Sequence, residues 1–143
     1  MLIDQLSIFI ENRQGRLEEI TKLLAGGGID IRALSIADTT DFGILRLIVN
    51  QPEDAKRILA ENGVTVSITK VLGIALPDQP GGLNRAVGVL SKAGIVIEYM
   101  YAFLNPKKDA AFVIIRVGDN EKAIEVLMDG GIDFVSNSDI ERL

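Results

Sequence analysis

Neither cysteine nor histidine occurs in the 143 residues. Their absence removes thiolate and imidazole metal ligands, disulfides, thiol nucleophiles and the commonest general base together. Metalloenzyme and catalytic-triad readings stop there, and no metal or cofactor is expected. Positive charge is also scarce: 15 Lys and Arg stand against 20 Asp and Glu, a net charge of −5. Such a chain repels a phosphate backbone, whose binding rests on basic patches, so no nucleic-acid partner is expected. No apolar run approaches the roughly 20 residues of a membrane helix, and no membrane association is expected. The segment Met1–Gln5 lacks the basic stretch of a signal peptide, and Glu11, Asn12 and Arg13 interrupt any apolar region behind it, which makes the cytoplasm the expected compartment. What remains is a chain with 48% hydrophobic and 24% charged residues, enough to build a core. At about 150 residues per domain the length suits one ordinary domain or two small ones.

Internal repetition decides between them. Gly15-Arg16-Leu17 opens a helical pattern that runs to Gly28-Ile29-Asp30-Ile31. Gly81-Gly82-Leu83 opens the same pattern, which runs to Gly94-Ile95-Val96-Ile97, and both landmarks are displaced by 66 residues. Phe42–Arg46 matches Phe112–Arg116 at a displacement of 70, implying a hairpin loop four residues longer in the second copy, and Asn62-Gly63-Val64 matches Gly130-Gly131-Ile132 at 68. The copies meet near Thr69-Lys70, so residues 1–69 and 70–143 are read as two domains.

Within each copy the apolar period switches between two and 3.6. Leu6, Ile8 and Ile10 alternate with Gln5, Ser7 and Phe9, and Leu72, Ile74 and Leu76 repeat the strand pattern. Leu17, Ile20, Leu23 and Leu24 share one helical face, as do Leu83, Ala86, Val87 and Leu90. Glycines after each helix suit a left-handed terminus. Strands follow at Ile29–Ala37 and Ile95–Leu104, then hairpin loops at 38–41 and 105–109, then strands at Phe42–Val49 and Ala111–Val117. Asn50 is the expected N-cap of a second helix with Pro52 in its first turn, carrying Ala55, Ile58 and Leu59; Asp119 or Asn120 caps its counterpart, carrying Ala123, Val126 and Leu127. Strands at Val64–Thr69 and Phe134–Ser138 close the copies. The result is an α+β fold, two tandem ferredoxin-like βαββαβ sandwiches with antiparallel sheets and two helices on one face of each. The other face collects Phe9, Phe42, Ile44, Ile48, Val71, Phe112 and Ile114, with Arg46 and Arg116 as its charges. A unit of about 70 residues buries only about 60% of its unfolded surface, so this face is expected to pack on another sheet, from the other copy or a second chain.

Glu11–Leu17 and Pro77–Leu83 each lie between a first strand and its helix. Together with Gly-Ile-x-Ile at the next strand, they resemble the ACT domain, a small regulatory fold that commonly binds amino acids. The resemblance covers both copies. It implies a non-catalytic sensor or regulatory subunit that binds a free amino acid between paired domains, with a homodimer and a metabolic enzyme as expected partners. A tight turn at Gly15 or Gly81 aims unpaired amides of the first helical turn outward, where the helix dipole favours an α-carboxylate. Asn12 and its counterpart Asp78 are placed to accept hydrogen bonds from an α-ammonium. The candidate ligand-binding residues at the two turns are thus Asn12, Gln14, Gly15, Arg16 and Leu17, and Asp78, Pro80, Gly81, Gly82 and Leu83. In family terms a further polar ligand position falls at Asp30, but its counterpart is Val96, and Gln14 stands where Pro is common. These departures imply one composite pocket between the copies instead of two equivalent sites. Tyr99 and Tyr101, read as sharing a strand face with Ile97, offer rings and hydroxyls as a pocket wall and favour an apolar side chain.

Each of these residues also has a plain structural reading: turn formation for the glycines, capping for Asn12 and Asp78, core packing for the tyrosines, ion pairing for Arg46 and Arg116. Gly26-Gly27-Gly28 ends a helix and lacks the Lys-Ser/Thr of a phosphate loop. The same topology builds RNA-recognition modules, which need stacking aromatics on central strands; Phe42–Leu47 has one ring. An acyl-phosphate hydrolase would use Arg13 or Arg16 as a phosphate clamp, yet the second copy has Gln79 and Gly82 there, and no nucleophile–base pair is evident. A third alternative is a ligand-free subunit docking on an enzyme such as acetolactate synthase.

Overall fold

The first alternating segment folds as β1 (Leu2–Glu11), followed by α1 (Arg16–Gly26), β2 (Ile31–Asp38), β3 (Phe42–Val49), α2 (Pro52–Glu61) and β4 (Thr65–Pro77). The second series is α3 (Gly82–Lys92), β5 (Ile97–Asn105), β6 (Ala110–Val117), α4 (Asn120–Asp129), β7 (Asp133–Phe134) and α5 (Asn137–Glu141). This computed structural model describes residues 2–38, 41–105 and 109–142. Most of the two expected hairpin loops, at 39–40 and 106–108, lies outside the described residues. The chain divides into two compact units, Asp4–Thr69 and Met1–Ile3 with Lys70–Leu143. No helix among the described residues is long and apolar enough to cross a membrane.

In the first unit the strands run in the order β2, β3, β1, with Thr65–Thr69 of β4 beside β1. Ser7 Oγ and Thr69 Oγ1 share a hydrogen bond of 2.9 Å across that pair. Helices α1 and α2 bring Ile20, Leu24, Ala55 and Leu59 against Leu6, Ile8, Leu45 and Leu47. In the second unit β4 pairs with β6, β6 with β5, and β7 with β4. There Ala86, Leu90, Ala123 and Leu127 pack on Leu72, Ile74, Val113 and Ile115. Each buried Leu or Ile contributes about 1.5–3 kcal/mol, so these helix-on-sheet layers hold each unit together.

Several details depart from the sequence reading. The expected strand at Val64–Thr69 is not separate from the strand that opens the second copy; both belong to the unbroken β4. The match of Phe42–Arg46 to Phe112–Arg116 is two residues out of register. Leu6 faces Leu47 and Leu72 faces Ile115, so β3 maps onto β6 at 68 residues, and Arg46 corresponds to Ile114. The hairpin is therefore two residues longer, not four. Side chains alternate with a period of two, so a two-residue slip leaves every residue on its expected face and periodicity cannot detect it.

Irregularities at Ile31/Ala33 and Ile97/Tyr99 flip the facing of the edge strands. Ile97 opposite Val117 packs on the helix-covered core, whereas Tyr99 and Tyr101 lie opposite Arg116 and Ile114 on the other face. The expected shared face of Ile97 and the tyrosines is thus broken by a bulge. Both strands also start two residues late, because the Ile29 and Ile95 amides donate to Leu24 and Leu90 carbonyls and finish the preceding helices.

Asn50 does not cap α2; the flanking residue is Gln51, and Asn50 Oδ1 instead accepts from the Asp30 amide at 2.9 Å. Asp119 does cap α4, accepting from the Lys122 amide. The expected strand at Phe134–Ser138 shrinks to Asp133–Phe134 and gives way to α5, because Ser136 and Asp139 form a reciprocal capping box.

On the face away from the helices, Ile48, Val71, Phe112 and Ile114 are buried, while Phe9 and Phe42 are 57% and 53% exposed. In the second unit Ile3 and Val135 cover Gly73, where an added Cβ would lie 2.9 Å from Ile3 Cγ1 and 3.3 Å from Val135 Cβ. At this point the cover comes from nearby chain segments within the unit. Phe103 packs edge-on against Phe112, with ring centroids 5.5 Å apart.

Candidate functional site

Between the first strand and helix of each unit the chain reverses through a left-handed glycine, Gly15 at φ 84° and Gly81 at φ 87°. A residue with a Cβ is strained there, which is why glycine occupies both positions. Gly82 packs the second turn onto the strand end, since a Cβ at that position would stand 2.5 Å from the Pro77 carbonyl oxygen. The turns are also tied to the hairpins in the same way: the Asn12 amide donates to the Asp41 carbonyl at 2.9 Å, and the Asp78 amide to Asp109 at 3.0 Å. These two bonds repeat the 66- and 68-residue displacements independently of the strand register.

This geometry determines which helix amides are left over. Arg16 donates to the Arg13 carbonyl and Glu19 to Gly15; Gly82 donates to Gln79 and Arg85 to Gly81. No side chain caps either helix. The amides between, those of Leu17 and Glu18 in α1 and of Leu83 and Asn84 in α3, have no acceptor among the described residues. Each turn therefore offers two adjacent donors at the positive end of a helix dipole, an arrangement that accepts an anion.

The charged surroundings differ between the units. Arg13 bonds to Glu11 at 3.1 Å and to Glu19 at 3.2 Å, and Arg16 bonds to Glu19 at 3.0 Å. The Glu19 carboxyl is held below its ordinary range by hydrogen bonds first from Arg16 and then from Arg13. Arg13 is correspondingly pushed up, by its hydrogen bond to Glu19 and then that to Glu11. Both loop arginines of the first unit are thus engaged by carboxylates of their own chain. In the second unit Asp78 is exposed and its carboxylate has no partner among the described residues.

Cavities adjoin both turns. In the first unit Asn12 and Leu17 line a recess of about 140 Å³ with Ile10, Ile36 and Gly43. Arg16 borders two other cavities, one of about 280 Å³ with Phe9, Phe42 and Thr65, and a broader groove of about 640 Å³ between α1 and α2. In the second unit Pro80, Gly81 and Gly82 line a cavity of about 280 Å³ with Gln79, Arg85 and Asp133. Gln14 and Leu83 are exposed beside their turns.

Other candidates lie elsewhere in their units. Asp30 precedes β2 at the end where Ile31 faces Val49, whereas the Asn12 turn lies at the end where Glu11 faces Phe42. Its carboxylate pairs with Arg32 at 3.1 Å. Tyr99 faces Arg116 toward the end of the sheet away from the Pro77 turn, and Tyr101 faces Ile114 nearer the middle. Neither tyrosine lines the cavity at that turn. The residues that sequence reasoning missed are Ile36, Gly43, Arg85 and Asp133. Arg85, one helical turn after Gly81, was visible by spacing; the others enter through strand pairing and the α4–β7 connection, which no local pattern signals.

The whole chain, residues 1–143, matches the family model described as an ACT domain pair. It belongs to the ACT-domain family, whose members are regulatory modules. Protein BT0572 from Bacteroides thetaiotaomicron is similar at 46% identity and a TM-score of 0.93, covering 100% of this chain and 98% of that one. The ligand-free regulatory subunit of aspartate kinase from Thermus thermophilus aligns at 12% identity and a TM-score of 0.63, covering 91% of this chain and 95% of that one. Its counterpart from Thermus flavus aligns at 16% and 0.55, covering 92% and 95%. The last two likenesses are of fold alone. No curated protein matches the chain.

A folded-state pKa below the unfolded value means that the Glu19 pairs add stability above the ordinary glutamate value of 4.5 and lose it as pH falls through the folded value. An NMR titration should find the Glu19 midpoint below 4.5, moving upward in Arg16→Gln. A midpoint at or above the ordinary value in the unaltered chain would contradict the network.

Proposed function

We propose that this chain is a non-catalytic regulatory protein that binds a free amino acid at its glycine turns. The observation that carries this reading is the pair of uncapped amides at each turn, Leu17 with Glu18 and Leu83 with Asn84. They suit the two oxygens of an α-carboxylate, and Asn12 and Asp78 stand just upstream as acceptors for the α-ammonium. Gln14, Gly15, Arg16, Pro80, Gly81 and Gly82 shape the approach. Membership of the ACT family supports a regulatory role, as does likeness in fold to the regulatory subunits of aspartate kinase from two Thermus species. The engagement of Arg13 and Arg16 by Glu11 and Glu19 argues against a phosphate clamp and hence against the hydrolase alternative.

A second copy of the chain completes the site in this proposal. In the first unit the outermost strand, β2, exposes Leu34 and Ile36 at 58% and 45%, next to exposed Leu17. An outer strand with apolar side chains and open backbone groups is a template for pairing with another chain. Asp30, remote from the turn of its own unit, then has a role as the wall that one copy offers to the turn of the other. Ligand acts by favouring the association or orientation to which it binds better. The exposed rings of Phe9 and Phe42 favour a second reading, docking on a metabolic enzyme without any ligand.

Thermal-shift measurements against the twenty amino acids, followed by calorimetry, separate these readings. At least one amino acid should raise the melting temperature, and Asn12→Ala with Asp78→Ala should weaken it about tenfold or more through loss of charge-assisted bonds, with the fold intact. Sedimentation should show a dimer that Leu34→Lys dissociates. No response to any amino acid, or unchanged affinity in the double variant, overturns the sensor reading and leaves the docking subunit.

A further inference from the structure

We propose that the groove between α1 and α2 binds an aliphatic carboxylate, an anion with an apolar tail and no ammonium group. At about 640 Å³ the groove falls within the size range of small-molecule sites. Leu23 of α1 and Ile58 of α2 form its apolar part, and both also pack against the core of the unit. Gly26 and Gly27 keep one end free of side chains, and nothing lies within 4 Å of a Cβ built at Gly26. The groove follows α1 from Arg16 to Gly27 and meets α2 at Ile58 and Asn62. Leu17 and Glu18, which carry the open amides of the glycine turn, do not line it.

The polar lining selects the charge of the occupant. Arg16 and Glu19 offset each other through their 3.0 Å bond, which leaves Lys22, with no partner among the described residues, as the surplus cation. The Arg16 side chain is only 17% exposed, and its Nε is buried without an acceptor among the described residues. A buried donor left unmet costs free energy, and an oxygen of the ligand carboxylate at this end of the groove relieves that cost. Glu19 is the one carboxylate of the lining and is held by Arg13 and Arg16, so nothing there receives an ammonium. At about 30 Å³ per water the groove holds roughly twenty waters, which sets the tail at about ten to sixteen carbons. The second unit provides an internal contrast. Gly82 and Gly88 stand where the first unit has Arg16 and Lys22. Arg85, at the position of Glu19, crosses from α3 to the end of α4 and donates through Nη2 to the Gly130 carbonyl at 2.9 Å. The second unit thus bridges its helix pair with its own side chain and has neither cation, so the charge pattern belongs to the first unit.

Neither the ligand class nor the location rests on the amino-acid reading above, so the two stand or fall separately. Calorimetry with decanoate and dodecanoate, kept below micelle formation, tests the groove. Acetate, which lacks the tail, and decyltrimethylammonium, which reverses the charge, are the controls. At least one of the two fatty acids should bind, and neither control should. Gly26→Leu adds bulk at an unstrained lining position and should weaken binding about tenfold or more, with the melting temperature of the free chain not lowered. Lys22→Glu, at an exposed position, should weaken it about fivefold or more. The Arg16 Nε–H resonance of the labelled chain should move on saturation, and Asn12→Ala with Asp78→Ala should leave the affinity unchanged. The proposal is overturned if neither fatty acid binds, if decyltrimethylammonium binds as tightly, or if Gly26→Leu or Lys22→Glu binds as well as the unaltered chain. It is overturned equally by an unmoved Arg16 resonance, or by binding lost in the Asn12, Asp78 double variant, which would seat the fatty acid at the turns.

Discussion

Two backbone reversals through left-handed glycines set the chemistry of this molecule. Gly15 and Gly81 turn the chain from a buried strand into an amphipathic helix so abruptly that no residue is left to act as a side-chain cap. A helix normally satisfies its first amides with a Ser, Thr, Asp or Asn oxygen. Here the turn satisfies the first amide by a backbone bond and leaves the next two open. The strands that frame the turns are buried on the helix side by Leu6, Ile8, Leu72 and Ile74, so the open amides are held on a rigid support. Donors fixed in this way need little further ordering to meet an acceptor.

The repeat, the helices and the glycine turns were legible because each leaves a local mark: a 3.6-residue stripe, an apolar alternation, a glycine at a fixed offset. What was not legible is what local marks do not encode. The two-residue slip that pairs Arg46 with Arg116 in sequence preserves strand facing, and only cross-strand pairing such as Leu72 to Ile115 exposes it. The bulge between Ile97 and Tyr99 reverses facing without any Gly or Pro at the break, so the tyrosines read as continuous with Ile97 until the register is known. Asn50 carried the right residue type for a cap but found a better partner across the unit, at Asp30. The Ser136–Asp139 box shows the reverse case, a true local signal overlooked beside an apolar strand pattern.

Duplication followed by divergence explains why the two turns share a backbone but not a charge environment. In the first unit arginine and glutamate side chains around the turn saturate one another. In the second, Gly82 replaces Arg16 and Arg85 replaces Glu19, which removes the saturating partner and leaves Asp78 and Asp133 open. Equal frames thus carry unequal electrostatics.

The most direct test of the account is an amide NMR titration of the isotopically labelled chain with whichever amino acid stabilises it. Carboxylate capture by uncapped helix amides requires that Leu17 and Glu18, or Leu83 and Asn84, move downfield and become protected from solvent exchange on saturation. A saturating ligand that leaves all four amides unmoved and still exchanging would contradict the central claim.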